Sequence, residues 1–512
     1  MKDSSSDSPN SGKSAFGIKL LLIILIAALL RLFLLGQKPF WADEGIVWWM
    51  ALGEIEHDSP IINTYAFNWA IQVFGWHEFA GRLPSALFGV LSIPVIYAIG
   101  RTLFDRKFGL WVAGLASLSA YLVPVSQEMR IYSLLGLLIL LATWFFLKIL
   151  MEEKAGIGWW IGLFLIGIVG QYSHCLFALV LAYFGGVLIL KKGWAGIRTW
   201  AKYWAILVAV ILVSLPEVLK SLTVTVARHH VLPADLWHLK WNIYRVLRSY
   251  FCFLFGDVLI NLPGAMVNYL RAHPFHLVIS IAMVVVWILI AYRSSTEISR
   301  IIRGAGTRAL VIRTLLGMLI AFSLLFFFIG VSTSAHLIFI YVPFLFLVSL
   351  YWTTAQTPFR NVVSGLFLLL TAISLIWYYG SPTFAHERAD WRAAAKLLQR
   401  EMKQDDALLI LRARNAYYTL KFYVPELNGD IYYRPRHDPA LLQDQPLMLW
   451  WDEKSPVEKV ISLMDSHKRV WVVGSLLTRR GDEALAGLVC RIWNFGHDLE
   501  VRLIESNAMT GG

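Results

Sequence analysis

Charged residues are scarce in this sequence. They make up 16% of its 512 residues, whereas hydrophobic residues make up 57%. Soluble globular proteins carry about a quarter charged residues, so this composition argues against that class and indicates a lipid environment. Several apolar stretches reach the roughly 20 residues that are needed to cross about 30 Å of hydrocarbon. We therefore expect a polytopic α-helical membrane protein.

Cysteine and the common catalytic motifs are also lacking. The three cysteines form no CxxC pair and no Cys/His cluster, which argues against a disulfide framework and a zinc site. Walker A, GxSxG, HExxH and GxGxxG motifs are absent, so nothing supports nucleotide binding at a glycine-rich loop. The net charge of +12 does not indicate a nucleic-acid partner, because the basic residues concentrate in short loops between apolar runs.

Hydropathy and length predict about eleven spans. The first fifteen residues are small and polar, and we expect them to form a disordered cytoplasmic tail before an uncleaved first span. The predicted spans lie at 16–36, 83–100, 108–124, 131–148, 157–171, 175–190, 203–216, 276–292, 309–331, 336–352 and 361–379.

The distribution of Lys and Arg predicts the orientation. With a cytoplasmic N-terminus, four of the five inside loops have an excess of basic residues, as the positive-inside rule requires. Residues 16–379 then form a transmembrane domain with extracytoplasmic loops at 37–82 and 217–275.

The composition changes after residue 380. The stretch "ERADWRAAAKLLQREMKQDDALLIL" predicts an amphipathic helix followed by a strand, and "VEKVISLMDSHKRVWVVGS" repeats that order. Residues 380–512 are therefore expected to form a soluble α/β domain on the extracytoplasmic side.

Paired acids follow the first span in "KPFWADEGIVWW". Asp43 and Glu44 lie among tryptophans, which is typical of a solvated juxtamembrane loop within an aromatic belt. The alternative is a general base in a water-poor pocket, where a desolvated carboxylate removes a proton from a hydroxyl. In that case the surrounding segment forms a helix along the membrane interface. The residues alone leave both interpretations open.

Further polar residues lie at the outer ends of predicted spans. Glu128 and Arg130 occur in "QEMRIYSLL", where an ionisable side chain often only reaches for the interface. The planar guanidinium of Arg130 also suits a phosphate, and Glu128 would then orient it or bind an acceptor or a metal. His174 and His336 each lie at an outer span end, where a structural role is the simpler interpretation.

Several of these stretches together resemble a known family. "WADEG", "RLPSALFG", "SQEMRIYSLL", "QYSHC", "HLIFIYVPFLFL" and "ADWRAAAKLL" are similar to the bacterial family-39 glycosyltransferases. That group is similar to protein O-mannosyltransferases and lipid A aminoarabinose transferases. The resemblance implies a C-type glycosyltransferase (GT-C) fold in the inner membrane. It also implies inverting transfer of a sugar from a polyprenyl-phosphate carrier to a glycan, lipid or protein acceptor on the extracytoplasmic face.

The resemblance also implies roles for individual residues. Asp43 corresponds to the catalytic base, with Glu44 beside it. The resemblance further implies that the donor phosphate or the acceptor is bound by Glu128, Arg130, Tyr132, His174 and His336.

The chain departs from the family pattern in two places. It reads "HDSPIINTYAFNW" where many relatives have a His-Pro-Pro stretch. It has His336 where many have Arg-Tyr, so phosphate binding there depends on protonation of that histidine. Metal dependence stays open. A divalent cation needs oxygen ligands, for which Asp43, Glu44 and Glu128 are the candidates.

Two other functions stay open at this stage. One is a transporter or flippase for a lipid-linked substrate, although the sequence shows no inverted repeat or paired broken helices. The other is a non-catalytic membrane protein that binds lipid carriers.

Overall fold

The computed structural model of the chain is mostly helical, with one sheet near its C-terminal end. The chain divides into two compact units. We call residues 1–35, 57–70 and 82–378 the helical unit, and residues 36–56, 71–81 and 379–512 the α/β unit. The residues that the structure describes are 9–55, 61–152, 155–174, 176–193, 196–228, 236–256, 274–329, 337–353, 357–382, 389–410, 414–426, 430–433, 449–450, 456–474, 489–495 and 499–505.

Fifteen α-helices precede residue 381 in the described part of the chain. A 3-10 turn, Ser349–Thr353, follows the fourteenth helix. The helices are α1 (Pro9–Leu32), α2 (Ala42–Leu52), α3 (Ile61–Phe74), α4 (Glu78–Leu103), α5 (Arg106–Ser117), α6 (Leu122–Ser126), α7 (Tyr132–Met151), α8 (Ile157–Gln171), α9 (Phe177–Lys192), α10 (Ile197–Arg228), α11 (Leu236–Phe255), α12 (Pro274–Ile302), α13 (Thr307–Ile329), α14 (Ile338–Val348) and α15 (Pro358–Gly380).

Many of these helices suit a bilayer. Among the described residues, six stretches are long and apolar enough to cross it: Glu78–Leu103, Tyr132–Met151, Ile197–Pro216, Val278–Ile302, Thr307–Phe328 and Pro358–Gly380. Shorter apolar helices occupy Ile157–Gln171, Phe177–Lys191, Val246–Phe255 and Ile338–Thr353. The expectation of a multi-pass membrane protein is confirmed, and the number of eleven spans stays a prediction.

Burial separates the lipid-facing helices from the central ones. On α1, Leu21, Leu25 and Leu29 are each more than half exposed and lie one turn apart, which places them on one face. Such a continuous apolar stripe is unfavourable in water and favourable against lipid. Every residue of α14, in contrast, is buried, so this helix lies in the core of the helical unit.

One predicted span is not a single helix. Residues 108–124 fall on α5 and α6, separated by a turn at 118–121. The 12 residues of α5 extend about 18 Å, which is short of the bilayer core. The Ser119 hydroxyl oxygen accepts hydrogen bonds from the amides of Tyr121 (3.3 Å) and Leu122 (3.1 Å), so local side-chain bonding competes with helix continuation.

The segment 217–275, expected as a loop, also contains regular structure. It is helical over 217–228, where α10 ends, and over 236–255, which is α11. Residues 257–273 lie outside the described part of the chain.

The α/β unit is built on a six-stranded sheet with the order β3-β2-β1-β4-β6-β5. The first four strands in this order are parallel, and β6 and β5 add antiparallel pairs at one edge. Its elements are α16 (Trp391–Glu401), β1 (Ala407–Ile410), α17 (Arg414–Tyr423), β2 (Asp430–Tyr433), β3 (Leu449–Trp450), α18 (Pro456–Met464), β4 (Arg469–Gly474), β5 (Val489–Asn494) and β6 (Glu500–Glu505).

The two helix–strand repeats predicted after residue 380 are confirmed. They correspond to α16 followed by β1 and to α18 followed by β4. The strands β1 and β4 are neighbours in the sheet. All four residues of β1 are buried, as is typical of a parallel strand that is covered on both faces. The Asp390 carboxylate begins α16 by accepting a hydrogen bond from the Ala393 amide at 3.0 Å.

Candidate functional site

The paired acids lie in the first turn of α2. This position favours carboxylates, because the unsatisfied amides at a helix N-terminus carry partial positive charge. The helix ends at Gly53, whose φ of 79° is the left-handed conformation typical of a glycine cap. The prediction that the segment around Asp43 is helical is confirmed.

Asp43 and Glu44 have different environments. Glu44 is 0% exposed, and its carboxylate accepts a hydrogen bond from the Trp41 amide at 3.2 Å. This contact is half of a capping box, in which the third helical residue reaches back to the residue before the helix. Asp43, one position earlier, is partly exposed. Glu44 therefore stabilises the helix start, while Asp43 is the acid that stays partly exposed.

A polar network fixes the extended segment that precedes α2. The Glu78 carboxylate accepts hydrogen bonds from the Tyr423 hydroxyl (2.9 Å) and from the Arg392 guanidinium (Nε, 3.1 Å). Arg392 also donates to the Gln37 carbonyl at 3.2 Å, and the Phe40 amide donates to the Tyr423 hydroxyl at 2.6 Å. Our sequence analysis did not single out these residues, although Arg392 lies within the quoted stretch "ADWRAAAKLL".

In the helical unit, Arg130 and Tyr132 lie together where α7 begins. The guanidinium carbon of Arg130 is 5.6 Å from the centroid of the Tyr132 ring, and its Nη2 is 3.4 Å from the tyrosine hydroxyl. The Ser85 hydroxyl donates to the Arg130 carbonyl at 3.1 Å, which ties this turn to α4. Glu128 is buried two residues before Arg130. The structure thus brings together two of the residues predicted to contact phosphate.

Gln127, which the sequence analysis missed, connects the same turn to α1. Its side-chain nitrogen donates to the carbonyls of Leu30 (3.2 Å), Arg31 (3.0 Å) and Phe33 (2.8 Å). Carbonyls at the end of a helix lack intrahelical partners, so one amide satisfies several of them in a buried position. The sequence does offer one signal for this residue, because the polar side chain of Gln127 lies next to the predicted pair Glu128 and Arg130.

His174 lies in the loop between α8 and α9. Burial lowers its pKa to about 4, because the charged imidazolium loses hydration. Its Nδ1 accepts a hydrogen bond from the Leu176 amide at 3.2 Å, which also requires an unprotonated Nδ1. His174 is therefore neutral near pH 7, and its contact with the donor phosphate or the acceptor stays a prediction. His336 lies outside the described residues.

The predicted site residues are distributed over both units. Asp43 and Glu44 belong to the α/β unit, and Glu128, Arg130, Tyr132 and His174 belong to the helical unit. Within the part of the chain that the structure describes, no group of three or more His, Cys, Asp or Glu side chains is arranged to hold a metal ion. The described geometry therefore gives no support to a cation held by Asp43, Glu44 and Glu128.

Comparison with known proteins is consistent with this architecture. Residues 58–217 match the model of the family described as dolichyl-phosphate-mannose-protein mannosyltransferase. None of the curated proteins searched matches the chain.

Solved structures share the fold at low sequence identity. ArnT from Cupriavidus metallidurans in the apo state is 15% identical, with a TM-score of 0.58, over 97% of this chain and 99% of that one. The structure of the same protein bound to undecaprenyl phosphate is 16% identical, with a TM-score of 0.52. The match covers 97% of this chain and 98% of that one. A third match is the oligosaccharyltransferase AglB from Archaeoglobus fulgidus in complex with an inhibitory peptide and a dolichol-phosphate. It is 11% identical, with a TM-score of 0.54, and the match covers 90% of this chain and 69% of that one.

Two predictions from the sequence are confirmed by these matches. The resemblance to polyprenyl-phosphate-dependent glycosyltransferases is borne out by the family match and the shared fold. The GT-C membrane fold with a C-terminal α/β region is also confirmed.

Proposed function

We propose that the chain transfers a sugar from a polyprenyl-phosphate carrier to a glycan, lipid or protein acceptor on the extracytoplasmic side of the inner membrane. The observation that carries this proposal is the different state of the two acids on α2. Glu44 is buried and bonded to its own helix start, whereas Asp43 is partly exposed. A partly exposed acid beside a structural one matches what a single general base requires.

The donor phosphate is assigned to Arg130 and Tyr132. An arginine fork and a phenol hydroxyl, close to each other, both donate hydrogen bonds to phosphate oxygens. Relatives in the fold bind the same class of lipid, namely undecaprenyl phosphate in ArnT and a dolichol-phosphate in AglB.

The mechanism follows from these assignments. Asp43 removes the proton from an acceptor hydroxyl, whose oxygen attacks the anomeric carbon of the sugar and forms the new glycosidic bond. The bond between that carbon and the phosphate oxygen breaks, so the polyprenyl phosphate leaves as an anion with inversion at the sugar carbon. Arg130 and Tyr132 stabilise the charge that develops on the leaving phosphate. A phosphate leaves without prior protonation, which removes the need for a second acid.

The proposed orientation of the chain in the membrane is inferred from the Lys and Arg content of its short loops. Four of the five predicted cytoplasmic loops have an excess of Lys and Arg. The same rule places 37–82, and with it Asp43, on the extracytoplasmic side, where lipid-linked donors meet acceptors that do not enter the cytoplasm.

The test compares Asp43→Asn with Glu44→Gln in the full-length protein. Glycans and lipids of the cell envelope are compared by mass spectrometry between cells that lack the protein and cells that carry each form. Undecaprenyl phosphate binding is measured on the purified proteins by native mass spectrometry. We expect Asp43→Asn to bind the lipid and to abolish the product, and Glu44→Gln to retain product while lowering thermal stability.

Wild-type product levels in the Asp43→Asn strain would remove Asp43 from the mechanism. Lipid binding without any change in envelope composition, in wild-type cells compared with cells lacking the protein, would instead indicate a non-catalytic carrier-binding protein.

A further inference from the structure

Two helices that are far apart in sequence touch directly within the α/β unit. At Gly45 of α2, an added Cβ would lie 2.6 Å from Thr419 Cα of α17. Real Cβ atoms do not approach this closely, so glycine is required at position 45 for the two helices to touch along their backbones. The contact occurs two residues after Asp43.

A hydrogen bond reinforces this contact at the residue before Asp43. The Thr419 hydroxyl donates to the Ala42 carbonyl at 3.1 Å, and Thr419 is 0% exposed. A carbonyl has two lone pairs, so Ala42 accepts this bond in addition to its intrahelical one. The first turn of α2 is therefore fixed from outside the helix.

Further contacts along α17 prevent α2 from rotating about its axis. The Trp49 indole nitrogen donates to the Tyr418 carbonyl at 2.9 Å, near the C-terminal end of α2. The Trp48 ring packs edge-on against Phe422, with 4.7 Å between ring centroids. The contacts of α17 thus extend along α2 from Ala42 to Trp49.

We propose that Thr419 is a positioning residue for the transfer reaction and that α17 sets the location of the catalytic carboxylate. This inference rests on the proposed function, because it assumes that Asp43 is the base. Reacting groups must be held within about 0.5 Å of their productive geometry, and a misplacement of about 1 Å costs about 100-fold in rate. Thr419 acts through Ala42 and does not touch the substrate.

The test compares variants of Thr419 with and without a side-chain hydroxyl. Thr419→Val removes the donor, Thr419→Ser keeps it, and Thr419→Ala removes it without adding bulk. Ser462→Ala is the control, because the exposed Ser462 hydroxyl donates to the Lys459 carbonyl within its own helix, α18, in the same unit. The full-length proteins are assayed in lipid nanodiscs with an undecaprenyl-phosphate-linked sugar that the wild type consumes.

We expect Thr419→Val and Thr419→Ala to lower kcat by about 10- to 100-fold while the KM for the donor changes less than twofold. Thr419→Ser should recover most of kcat, and Ser462→Ala should match the wild type. Hydrogen exchange of the amides at 42–52 should accelerate in the two variants without the hydroxyl.

The proposal is overturned if both variants without the hydroxyl keep wild-type kcat, or if Thr419→Ser is as slow as Thr419→Val. It is also overturned if kcat falls only in proportion to the loss of folded protein, as measured by thermal unfolding. An inactive Asp43→Asn together with a fully active Thr419→Val would reject the positioning role and leave the proposed function intact. An active Asp43→Asn would reject the function itself.

Discussion

The Tyr378 hydroxyl donates a hydrogen bond to the side-chain oxygen of Gln127 at 2.9 Å, and both residues are buried. The amide nitrogen of the same glutamine serves the carbonyls at the end of α1. One side chain thereby joins α15, α1 and the turn that carries Arg130.

Replacing Gln127 should therefore destabilise the protein strongly. Gln127→Leu has a similar volume but leaves the carbonyls of Leu30, Arg31 and Phe33 without this donor. We expect a loss of about 2–4 kcal/mol in the free energy of unfolding, since each net hydrogen bond contributes about 1 kcal/mol and an unsatisfied buried group costs more. Thermal unfolding in detergent micelles measures it. Tyr378→Phe removes one of the bonds and should cost about 1 kcal/mol; equal losses in both variants would contradict this account.

The neutral state of His174 predicts a pH dependence of stability. Its pKa is about 4 in the folded protein and about 6.5 when unfolded. The unfolded state therefore binds more protons between these values, and the contribution to stability, complete above about pH 6.5, is lost as the pH falls toward 4. The full loss is on the order of 3 kcal/mol.

His174→Asn keeps an acceptor for the Leu176 amide and removes the titration. Its melting temperature, compared with that of the wild type between pH 7 and pH 4.5, should show a smaller decline. An identical decline in both proteins would assign the pH dependence to other groups.

Gly256 should tolerate no side chain. It follows α11 with a φ of 75°, and an added Cβ would lie 2.5 Å from the Ala120 carbonyl oxygen. Gly256→Ala should lower the free energy of unfolding by more than about 1 kcal/mol. Gly186→Ala is the control, because Gly186 lies within α9 and an added Cβ meets nothing within 4 Å. It should be neutral or stabilise by up to about 1 kcal/mol. Similar melting temperatures for both variants would refute the steric argument.

Arg130 should dominate the affinity for the carrier lipid. A hydrogen bond to a charged group is worth about 1.5–3 kcal/mol, so Arg130→Gln should weaken undecaprenyl phosphate binding by about 10- to 100-fold. Tyr132→Phe removes a neutral donor and should weaken it less. Native mass spectrometry with titrated lipid measures both dissociation constants. Arg313→Gln removes an exposed arginine of the helical unit, and its affinity should equal that of the wild type. A comparable loss in Arg313→Gln would indicate general electrostatic attraction instead of a site.

The sequence alone predicted those structural elements that follow a simple hydrophobic pattern. Apolar runs of about 20 residues predicted the membrane helices, and two helix–strand repeats predicted the core of the sheet at β1 and β4. The break between α5 and α6 was missed, because hydropathy does not register the hydroxyl of Ser119 bonding to nearby amides.

The acid pair shows a second limit of sequence reasoning. Adjacent carboxylates have the same local signal, so only the family resemblance assigned Asp43 as the base, and the residues themselves did not show that Glu44 bonds to the Trp41 amide. Thr419 and Tyr423 were missed for a different reason. Their importance comes from contacts with α2 and with the segment before it, and a single sequence carries no pattern for pairs so distant along the chain.

The packing of α2 on α17 has a consequence for biosynthesis. The ribosome makes α2 long before its partner helix α17, which follows α3 to α16 in the described part of the chain. Until then, the tryptophans of α2 can pack on Phe40 and Trp76 but lack their contacts with Tyr418 and Phe422, so part of this apolar face stays unburied. A nascent chain that stalls before residue 414 would thus hold α2 without the hydrogen bond from Thr419 that fixes its first turn.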